Sequence, residues 1–367
     1  MKQTLQSLLT GGRRLLEGAK VPEPELDAKY LLLEAFRTDP VHFLMDRCRE
    51  LPEDERILEM AERYRQMIQM RMRRIPLQQI LGTQAFMGLT FFVDRHVLVP
   101  RQDTEALVEL VLKEHPGDGE AVLDLCTGSG CIAISLALLG RYGKVVGVDL
   151  SPKALKVAAR NRGQLLQQEQ AEWREQTVWQ EQAERREQTG RQEQAERREQ
   201  TGRQEQAEQR EQTGRQEQAE RREQTGRQEQ AERRQQPGRR ACPVELLEGD
   251  LFSPFAPGRD VFDILTANPP YIPTQVIEGL EPEVKDHEPR MALDGSEDGL
   301  AFYRRIASES GAYLDKGAAV YLEIGYDQGA AVCQILERAG FTELRVVKDA
   351  AGNDRVAAAR WPGESAL

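Results

Sequence analysis

Four consecutive residues, Asn268, Pro269, Pro270 and Tyr271, have the chemical types needed to hold a planar –NH2 group. The apolar segment 261–267 before them is typical of a buried strand, which two prolines cannot continue because they lack N–H donors. The chain must therefore turn at the carboxyl end of the strand, where open α/β sheets usually bind ligands. The Asn268 side-chain oxygen and the Pro269 carbonyl are two acceptors, and Tyr271 adds an aromatic face. A plain turn is the alternative interpretation of these four residues alone.

Residues upstream of this turn indicate a bound cofactor. The segment 122–125 predicts a strand, 126–130 (Cys-Thr-Gly-Ser-Gly) a tight loop and 131–139 a helix, and glycines in such a loop let the backbone approach a ligand closely. The next predicted strand, 144–148, leads to Asp149, which is placed to accept hydrogen bonds from ribose hydroxyls. The loop lacks the third glycine of a pyrophosphate-binding fingerprint, so a ligand with a ribose but no phosphate fits better. S-adenosylmethionine is such a ligand.

A further predicted strand, 244–247, leads to Asp250 and Leu251, and the Asp250 carboxylate could accept a hydrogen bond from an adenine amino group. The sequence offers no competing chemistry, because it shows no Ser/His/Asp constellation and its four histidines are isolated. Cys126 and Cys131 are close in sequence, but no paired His or Cys completes a zinc site. We therefore expect no metal.

The composition and the net charge limit the number of domains, the cellular compartment and the partners that we expect. The 367 residues allow a large core and two domains. Five scattered cysteines favour reduced thiols, and the sequence shows neither a signal peptide nor an apolar run long enough to span a bilayer. We therefore expect a cytoplasmic protein with no membrane partner. A net charge of −11 argues against a nucleic-acid partner, which needs a basic face.

The elements that position these residues form four predicted segments. They are a helical domain 1–75, a hairpin linker 76–105, an α/β domain made of 106–163 and 241–367, and a repeat insertion 164–240. Within the helical domain, Gly11-Gly12 is expected to break the first helix. Within the linker, strands near 86–93 and 97–99 are expected to turn at Asp94-Arg95.

The insertion 164–240 repeats the 12-residue unit EQTGRQEQAERR, with near-perfect copies from Glu187, Glu199, Glu211 and Glu223. Each unit balances three Glu against three Arg and contains one apolar residue, an Ala, so it has no face to bury. Surface loops accept long insertions at small entropic cost. We predict a tolerated surface insertion, with an interaction arm as the alternative.

In combination, these motifs resemble those of class I S-adenosylmethionine-dependent methyltransferases that act on a planar nitrogen. More narrowly, they are similar to those of the peptide chain release factor glutamine methyltransferases, the HemK family. The stretches that carry the narrower resemblance are 76–82 (PLQQILG), 97–105 (VLVPRQDTE), 288–293 (EPRMAL), 323–325 (EIG) and 349–355 (DAAGNDR). The resemblance covers nearly the whole chain except the repeat insertion. Two residues depart from the family pattern: Cys126 stands where glycine is usual, and Gln102 where proline is frequent.

The resemblance implies a Rossmann-like α/β fold with a mostly parallel seven-stranded sheet, preceded by a helical domain and a hairpin linker. It implies methyl transfer from S-adenosylmethionine to the glutamine amide nitrogen in the Gly-Gly-Gln motif of bacterial release factors, by an enzyme expected to be monomeric. The implied catalytic residues are Asn268, Pro269, Pro270 and Tyr271. The implied cofactor-binding residues are Asp124, Cys126, Thr127, Gly128, Ser129, Gly130, Asp149, Asp250, Leu251 and Asn268.

The residues leave three alternatives open. An N6-adenine methyltransferase acts on an –NH2 with the same two hydrogens, but it must flip its base and hold a phosphate backbone. A glutamine of a ribosomal protein is a second candidate substrate. A non-catalytic binding protein whose repeat is the working part is the third, and affinity for S-adenosylmethionine would separate it from the enzymes.

Overall fold

The amino-terminal residues form helices, as their apolar spacing predicts. The computed structural model describes residues 3–117, 119–168 and 242–363. The first five helices are α1 (Leu5–Gly18), α2 (Pro24–Phe36), α3 (Pro40–Asp46), α4 (Glu55–Met72) and α5 (Leu77–Leu81). The short helices α3 and α5 have no counterpart among the sequence predictions.

Polar caps begin the two longest of these helices. Thr4 caps α1 by accepting a hydrogen bond from the Ser7 N–H, and Asp54 caps α4 by accepting one from the Ile57 N–H. The apolar faces of the helices close a small core that includes Leu8, Leu16, Leu31, Leu32, Tyr64 and Ile68. This core contains none of the candidate catalytic residues.

The expected helix break at Gly11-Gly12 is wrong, because α1 continues unbroken to Gly18. The two glycines have different surroundings. A Cβ on Gly12 would lie 2.0 Å from Tyr64 Oη and 3.0 Å from Ile68 Cδ1, whereas a Cβ on Gly11 would meet nothing within 4 Å. Gly12 therefore lets α1 and α4 approach closely, and Gly11 has no such role.

The linker contains a hairpin, but its strands lie earlier than the sequence predicts. β1 (Thr83–Phe86) pairs antiparallel with β2 (Leu89–Phe92), so the turn is Met87-Gly88 and not Asp94-Arg95. Both turn residues have positive φ, 52° and 74°, as a type I′ hairpin turn requires. The expected strand at 97–99 is an irregular segment.

A seven-stranded sheet follows the hairpin and confirms the predicted Rossmann-like α/β fold. Its strands are β3 (Ala121–Leu125), β4 (Lys144–Asp149), β5 (Val244–Glu248), β6 (Phe262–Ala267), β7 (Leu314–Glu323), β8 (Thr342–Lys348) and β9 (Asp354–Arg360). Their order across the sheet is β5-β4-β3-β6-β7-β9-β8, and β9 runs antiparallel to its two neighbours. The central strands are almost fully buried, which explains their near-continuous apolar sequences.

Helices lie before and between these strands in the chain. They are α6 (Gln102–Glu114), α7 (Cys131–Leu139), α8 (152–168), α9 (Thr274–Ile277), α10 (Pro282–Lys285), α11 (Arg290–Leu293), α12 (Ala301–Glu309) and α13 (Gly329–Arg338). The strand order reverses between β3 and β6, so a crevice opens at their carboxyl ends, as at the ligand sites of other doubly wound sheets. Of the helices in the described ranges, none is long and apolar enough to cross a membrane.

The fold continues past the predicted start of the repeat at residue 164. α8 runs through 168 and Leu165 is buried, so the first residues assigned to the insertion belong to this helix. The rest of the predicted insertion, 169–240, lies outside the described residues. The chain up to Leu165 and from Cys242 onward belongs to one compact unit.

Replacing Gly12 with Ala should destabilise the fold by about 1–3 kcal/mol, because the added methyl group overlaps Tyr64. The matched change Gly11→Ala should raise stability by about 0.5–1 kcal/mol, since Ala loses less conformational entropy in a helix interior. Urea denaturation of both variants and the wild type measures these shifts. Equal shifts in the two variants would contradict the close approach of α1 and α4 at Gly12.

Replacing 169–241 with a short Gly/Ser linker should leave the fold intact, because the repeat units have no apolar face to bury. A matched replacement of 164–241 should be less stable, since it also removes the buried side chain of Leu165. Thermal unfolding of the two variants and the full chain measures the difference. Loss of soluble protein in the 169–241 variant would show that the repeat packs on the core.

Candidate active site

The carboxyl ends of β3, β4, β5 and β6 surround a cavity of about 330 Å³, and residues of the segment 96–101 form another part of its wall. A cavity of this size is typical of a small-molecule site. Nine of the sequence-predicted site residues line it: Cys126, Thr127, Gly128, Ser129, Asp149, Asp250, Leu251, Asn268 and Pro270.

The other predicted site residues, Asp124, Gly130, Pro269 and Tyr271, do not line the cavity. Asp124 is fully buried in β3 and accepts hydrogen bonds from Thr127 Oγ1 at 2.6 Å and Thr266 Oγ1 at 2.9 Å. Burial raises the pKa of Asp124 to about 7. Asp124, a predicted cofactor-binding residue, therefore lies inside the core, where it supports the loop 126–130 through Thr127.

The loop 126–130 takes its shape from residues in the left-handed region. Cys126, Gly128 and Gly130 have φ of 58°, 57° and 79°. A Cβ on Gly130 would lie 2.8 Å from Ile134 Cδ1, so glycine suits both the conformation and the space there. For Cys126, which has a Cβ, the left-handed conformation costs roughly 1–2 kcal/mol, which explains why a glycine suits this position as well.

Asp149 ends β4 beside this loop. Its two carboxylate oxygens accept hydrogen bonds from the Gly128 N–H and the Ser151 N–H, both at 2.8 Å. Burial raises the pKa of Asp149, and the two backbone hydrogen bonds oppose the rise. Each carboxylate oxygen keeps a lone pair for a further donor, so the group can still accept from two ribose hydroxyls.

Asp250 and Leu251 follow β5 and form another part of the wall. Asp250 Oδ1 accepts a hydrogen bond from Arg305 Nη1 at 2.9 Å, which leaves its second oxygen available to an adenine amino group. Leu98 and Leu150 add apolar surface to the cavity, and Leu150 is 56% exposed. An exposed apolar side chain beside a polar acceptor suits a flat heterocycle.

These groups fit S-adenosylmethionine better than a cofactor with phosphates. The N–H groups of Gly128 and Gly130 are donated within the protein, to Asp149 and to the Thr127 carbonyl, so they do not serve a phosphate. The carboxylates of Asp149 and Asp250 would also repel one. The acceptors that line the cavity therefore match the hydroxyl and amino donors of an adenosine group.

Asn268 follows β6 and places a side-chain amide at the cavity. Its Nδ2 donates a hydrogen bond to Thr104 Oγ1 at 3.4 Å. Neither its Oδ1 nor the Pro269 carbonyl accepts a hydrogen bond from any residue that the structure describes. Two unused acceptors on adjacent residues match the two hydrogens of a planar –NH2 group.

Tyr271 does not present its ring to the cavity as the sequence predicts. Its hydroxyl donates to Glu323 Oε1 at 3.5 Å, and burial raises the pKa of that hydroxyl. Phe302 and Met291 also line the cavity with large apolar side chains, and sequence reasoning missed both. It also missed Thr104 as a residue of the site, although one of the motif stretches contains it.

The cavity lies at the carboxyl ends of the strands, where β4 ends in a carboxylate and β6 in an Asn-Pro turn. This fold and site define a class I S-adenosylmethionine-dependent methyltransferase. The sequence matches a PrmC N-terminal domain over residues 7–82 and a methyltransferase domain over residues 116–181. It is 33% identical to the release factor glutamine methyltransferase of Geobacter sulfurreducens, over 97% of this chain and 96% of that protein. The chain belongs to the release factor glutamine methyltransferase family.

A second relative and a solved structure are also similar to this chain. The release factor glutamine methyltransferase of Caulobacter vibrioides is 31% identical, over 97% of this chain and 96% of that one. Among solved structures, the release factor-specific protein-(glutamine-N5) methyltransferase of Alicyclobacillus acidocaldarius is 25% identical, with a TM-score of 0.32 over 71% of this chain and 93% of that chain.

Replacing Asp149 with Ala should weaken S-adenosylmethionine binding by about 1.5–3 kcal/mol, because it removes charged acceptors for the ribose hydroxyls. Glu248→Ala is a matched control, since Glu248 lies opposite Asp149 on β5 but is exposed and outside the cavity wall. Calorimetric titration measures both dissociation constants. An unchanged constant in the Asp149 variant would mean that this carboxylate only holds the loop backbone.

Proposed function

We propose that this enzyme transfers a methyl group from S-adenosylmethionine to the side-chain amide nitrogen of the glutamine in the Gly-Gly-Gln motif of bacterial peptide chain release factors. The observation that carries the proposal is a pair of unused acceptors on adjacent residues, Asn268 Oδ1 and the Pro269 carbonyl, of which Asn268 lines the cofactor cavity and Pro269 follows it directly in the chain. A primary amide has two N–H hydrogens for these two acceptors. The names of the relatives support release factors as the carriers of that amide.

The two acceptors act on the geometry of the nitrogen. An amide nitrogen is a poor nucleophile because its lone pair is delocalised into the carbonyl. When Asn268 Oδ1 and the Pro269 carbonyl accept its two hydrogens, they orient the nitrogen and favour a pyramidal geometry. Bound S-adenosylmethionine supplies an electrophilic methyl group. The contribution of the chain is therefore mainly positioning in a near-attack geometry.

The reaction needs no strong base before attack. As the nitrogen bonds to the methyl carbon, the bond between that carbon and the sulfonium sulfur would break, and S-adenosylhomocysteine would leave as a neutral thioether. The nitrogen becomes positively charged and acidic, and it then loses one proton to water. The product keeps a single N–H for the two acceptors. A methylated amide therefore binds less well than the primary amide, which limits the reaction to one methyl group.

Ion pairs tie the helical domain to the segment that follows the Asn268 turn. Buried Arg71 of α4 places Nε 2.7 Å from Asp27 Oδ2 and Nη1 2.7 Å from Glu283 Oε1. Arg74 Nη2 lies 2.6 Å from Glu283 Oε2. Because Glu283 belongs to α10, these pairs hold the helical domain beside the catalytic part of the chain. In the proposed function, this domain docks the body of the release factor.

The substrate enters the site as a loop tip. Two glycines before the glutamine let its backbone reach a buried position without side-chain conflict. The net charge of −11 disfavours nucleic acid, so N6-adenine methylation is not favoured, and no observation favours a ribosomal protein over a release factor. We further propose that the enzyme works as a monomer, since one chain supplies every group named at the site, and in the cytoplasm, where release factors act.

Asn268→Ala should lower kcat by about 100-fold or more, because it removes one of the two acceptors that orient the nitrogen. Affinity for S-adenosylmethionine should change little, since Asp149 and Asp250 remain. Steady-state methyl transfer and calorimetry measure the two effects. Asn353→Ala removes an exposed amide outside the cavity and serves as the control. Turnover within about tenfold of the wild type in the Asn268 variant would exclude the proposed role.

Mass spectrometry of purified release factor, after incubation with enzyme and S-adenosylmethionine, tests the function itself. We expect a gain of one methyl group, and not two, on the glutamine of the Gly-Gly-Gln motif. A release factor with Ala in place of that glutamine should gain none. Labelling of DNA or of ribosomal protein, without labelling of release factor, would overturn the proposal.

A further inference from the structure

The Asn268 turn, residues 268–271, cannot be held in place by the N–H groups of its two middle residues. Pro269 and Pro270 have no N–H, so neither donates a backbone hydrogen bond. The Pro269 carbonyl accepts no hydrogen bond from any residue that the structure describes. The position of this acceptor therefore depends on the residues next to it and on what other parts of the chain do to them.

A buried amide from a distant part of the chain holds the end of this turn. Gln328 precedes α13 and is 9% exposed. Its Nε2 donates hydrogen bonds to the Tyr271 carbonyl at 3.0 Å and to the Gly299 carbonyl at 3.4 Å. Its Oε1 accepts one from the Gly325 N–H at 3.0 Å. Gln328 therefore ties the Asn268 turn to the loop at Gly299 and to the segment that follows β7.

These partners fix which end of the Gln328 amide faces the turn. A backbone N–H only donates and a backbone carbonyl only accepts, so the amide oxygen belongs toward Gly325 and the –NH2 toward the two carbonyls. A reversed amide would place its oxygen against two carbonyl oxygens and lose all three hydrogen bonds. Buried polar groups left without partners are costly, so Gln328 has one stable orientation.

Close packing also restricts the turn. A Cβ on Gly295 would lie 2.8 Å from Tyr271 Cα and 2.9 Å from the Pro270 carbonyl oxygen. A Cβ on Gly299 would lie 2.3 Å from the Tyr271 carbonyl oxygen. The Gly295 N–H donates to the Ile272 carbonyl at 2.9 Å. Backbone therefore lies directly against the backbone of the turn, in space that any larger residue would need.

We infer that Gln328 is a positioning residue, which sets the place of the Pro269 carbonyl by holding the Tyr271 carbonyl two residues later. The inference rests on the proposed function, since it concerns an acceptor of the substrate –NH2. Gln328 supplies from outside the turn the donor that the two prolines lack. Without this hydrogen bond the turn is held less firmly, and its acceptor meets the substrate nitrogen in the productive geometry less often.

Gln328→Glu tests the inference, because it keeps the acceptor for the Gly325 N–H and replaces the donor with a second carboxylate oxygen. It should lower kcat on release factor about tenfold or more, since a small displacement of a positioning group is costly. The KM for release factor and the dissociation constant of S-adenosylmethionine should stay within about threefold, because only the reacting geometry changes. Calorimetric stoichiometry gives the fraction of chains that bind cofactor, so turnover is expressed per active chain.

Gln334→Glu is the matched control. It makes the same chemical change at an exposed position of α13 outside the cavity wall, and it should leave kcat unchanged.

Gln328→Met keeps the test decisive if a buried carboxylate prevents folding, because it removes the donor without adding a charge. It should show the same loss of kcat. A folded Gln328→Glu or Gln328→Met enzyme with the wild-type kcat per active chain would overturn the inference.

A combination with Asn268→Ala gives a readout that a merely structural role would not change. The two acceptors hold one nitrogen, so they act as a unit, and loss of the second costs less once the first is gone. In the Asn268→Ala enzyme, Gln328→Glu should therefore lower kcat by less than about threefold. An equal factor in both backgrounds would show a loss that is independent of the acceptors and would overturn the inference.

The two proposals fail separately. If the wild-type enzyme does not methylate release factor, the proposed function fails whatever the variants do. If the wild type methylates it and the Gln328 variants do so equally well, the function stands and only the positioning role of Gln328 is lost.

Discussion

Parallel pairing of β3 with β6 is the constraint on which the whole site depends. In this pairing Leu125 lies opposite Ala267, so the cofactor loop and the Asn268 turn leave the sheet side by side. On its other edge β3 pairs with β4, where Leu125 lies opposite Val148 and brings Asp149 to the same end of the sheet. A one-residue slip would turn every side chain of a strand to its other face, so the burial of these strands fixes the cofactor groups and the acceptor groups together.

Two buried carboxylates connect this edge of the sheet to its loops. Asp124 of β3 holds the loop 126–130 through Thr127 and the neighbouring strand through Thr266, and Glu323 of β7 accepts a hydrogen bond from the Tyr271 hydroxyl. Burial raises the pKa of both acids from ordinary values of 3.8 and 4.5 to about 7. The folded state then binds protons more tightly than the unfolded chain, so these groups lower stability as the pH rises from about 4 to about 7. The fold tolerates this cost at two acids that accept hydrogen bonds from Thr127, Thr266 and Tyr271.

The parts of the fold that follow local signals could be predicted from the sequence. Continuous apolar runs ended by glycine, proline or an acid predict buried strands and the turns after them, which is why Asp149 and Asn268 could be placed at strand ends. The wrong predictions depend on contacts between distant residues. Gly12 suggests a broken helix until the Tyr64 ring on another helix is known. Tyr271 does not line the cavity, and its hydroxyl donates to Glu323, which lies 52 residues later in the chain. Local spacing carries no information about such partners.

A crystal structure of the enzyme with S-adenosylhomocysteine and a short Gly-Gly-Gln peptide tests the central claim most directly. We predict that the glutamine –NH2 donates to both Asn268 Oδ1 and the Pro269 carbonyl, each at about 3 Å, while Asn268 Nδ2 still faces Thr104. A glutamine amide held by other groups, or an Asn268 side chain turned with its nitrogen toward the peptide, would contradict it.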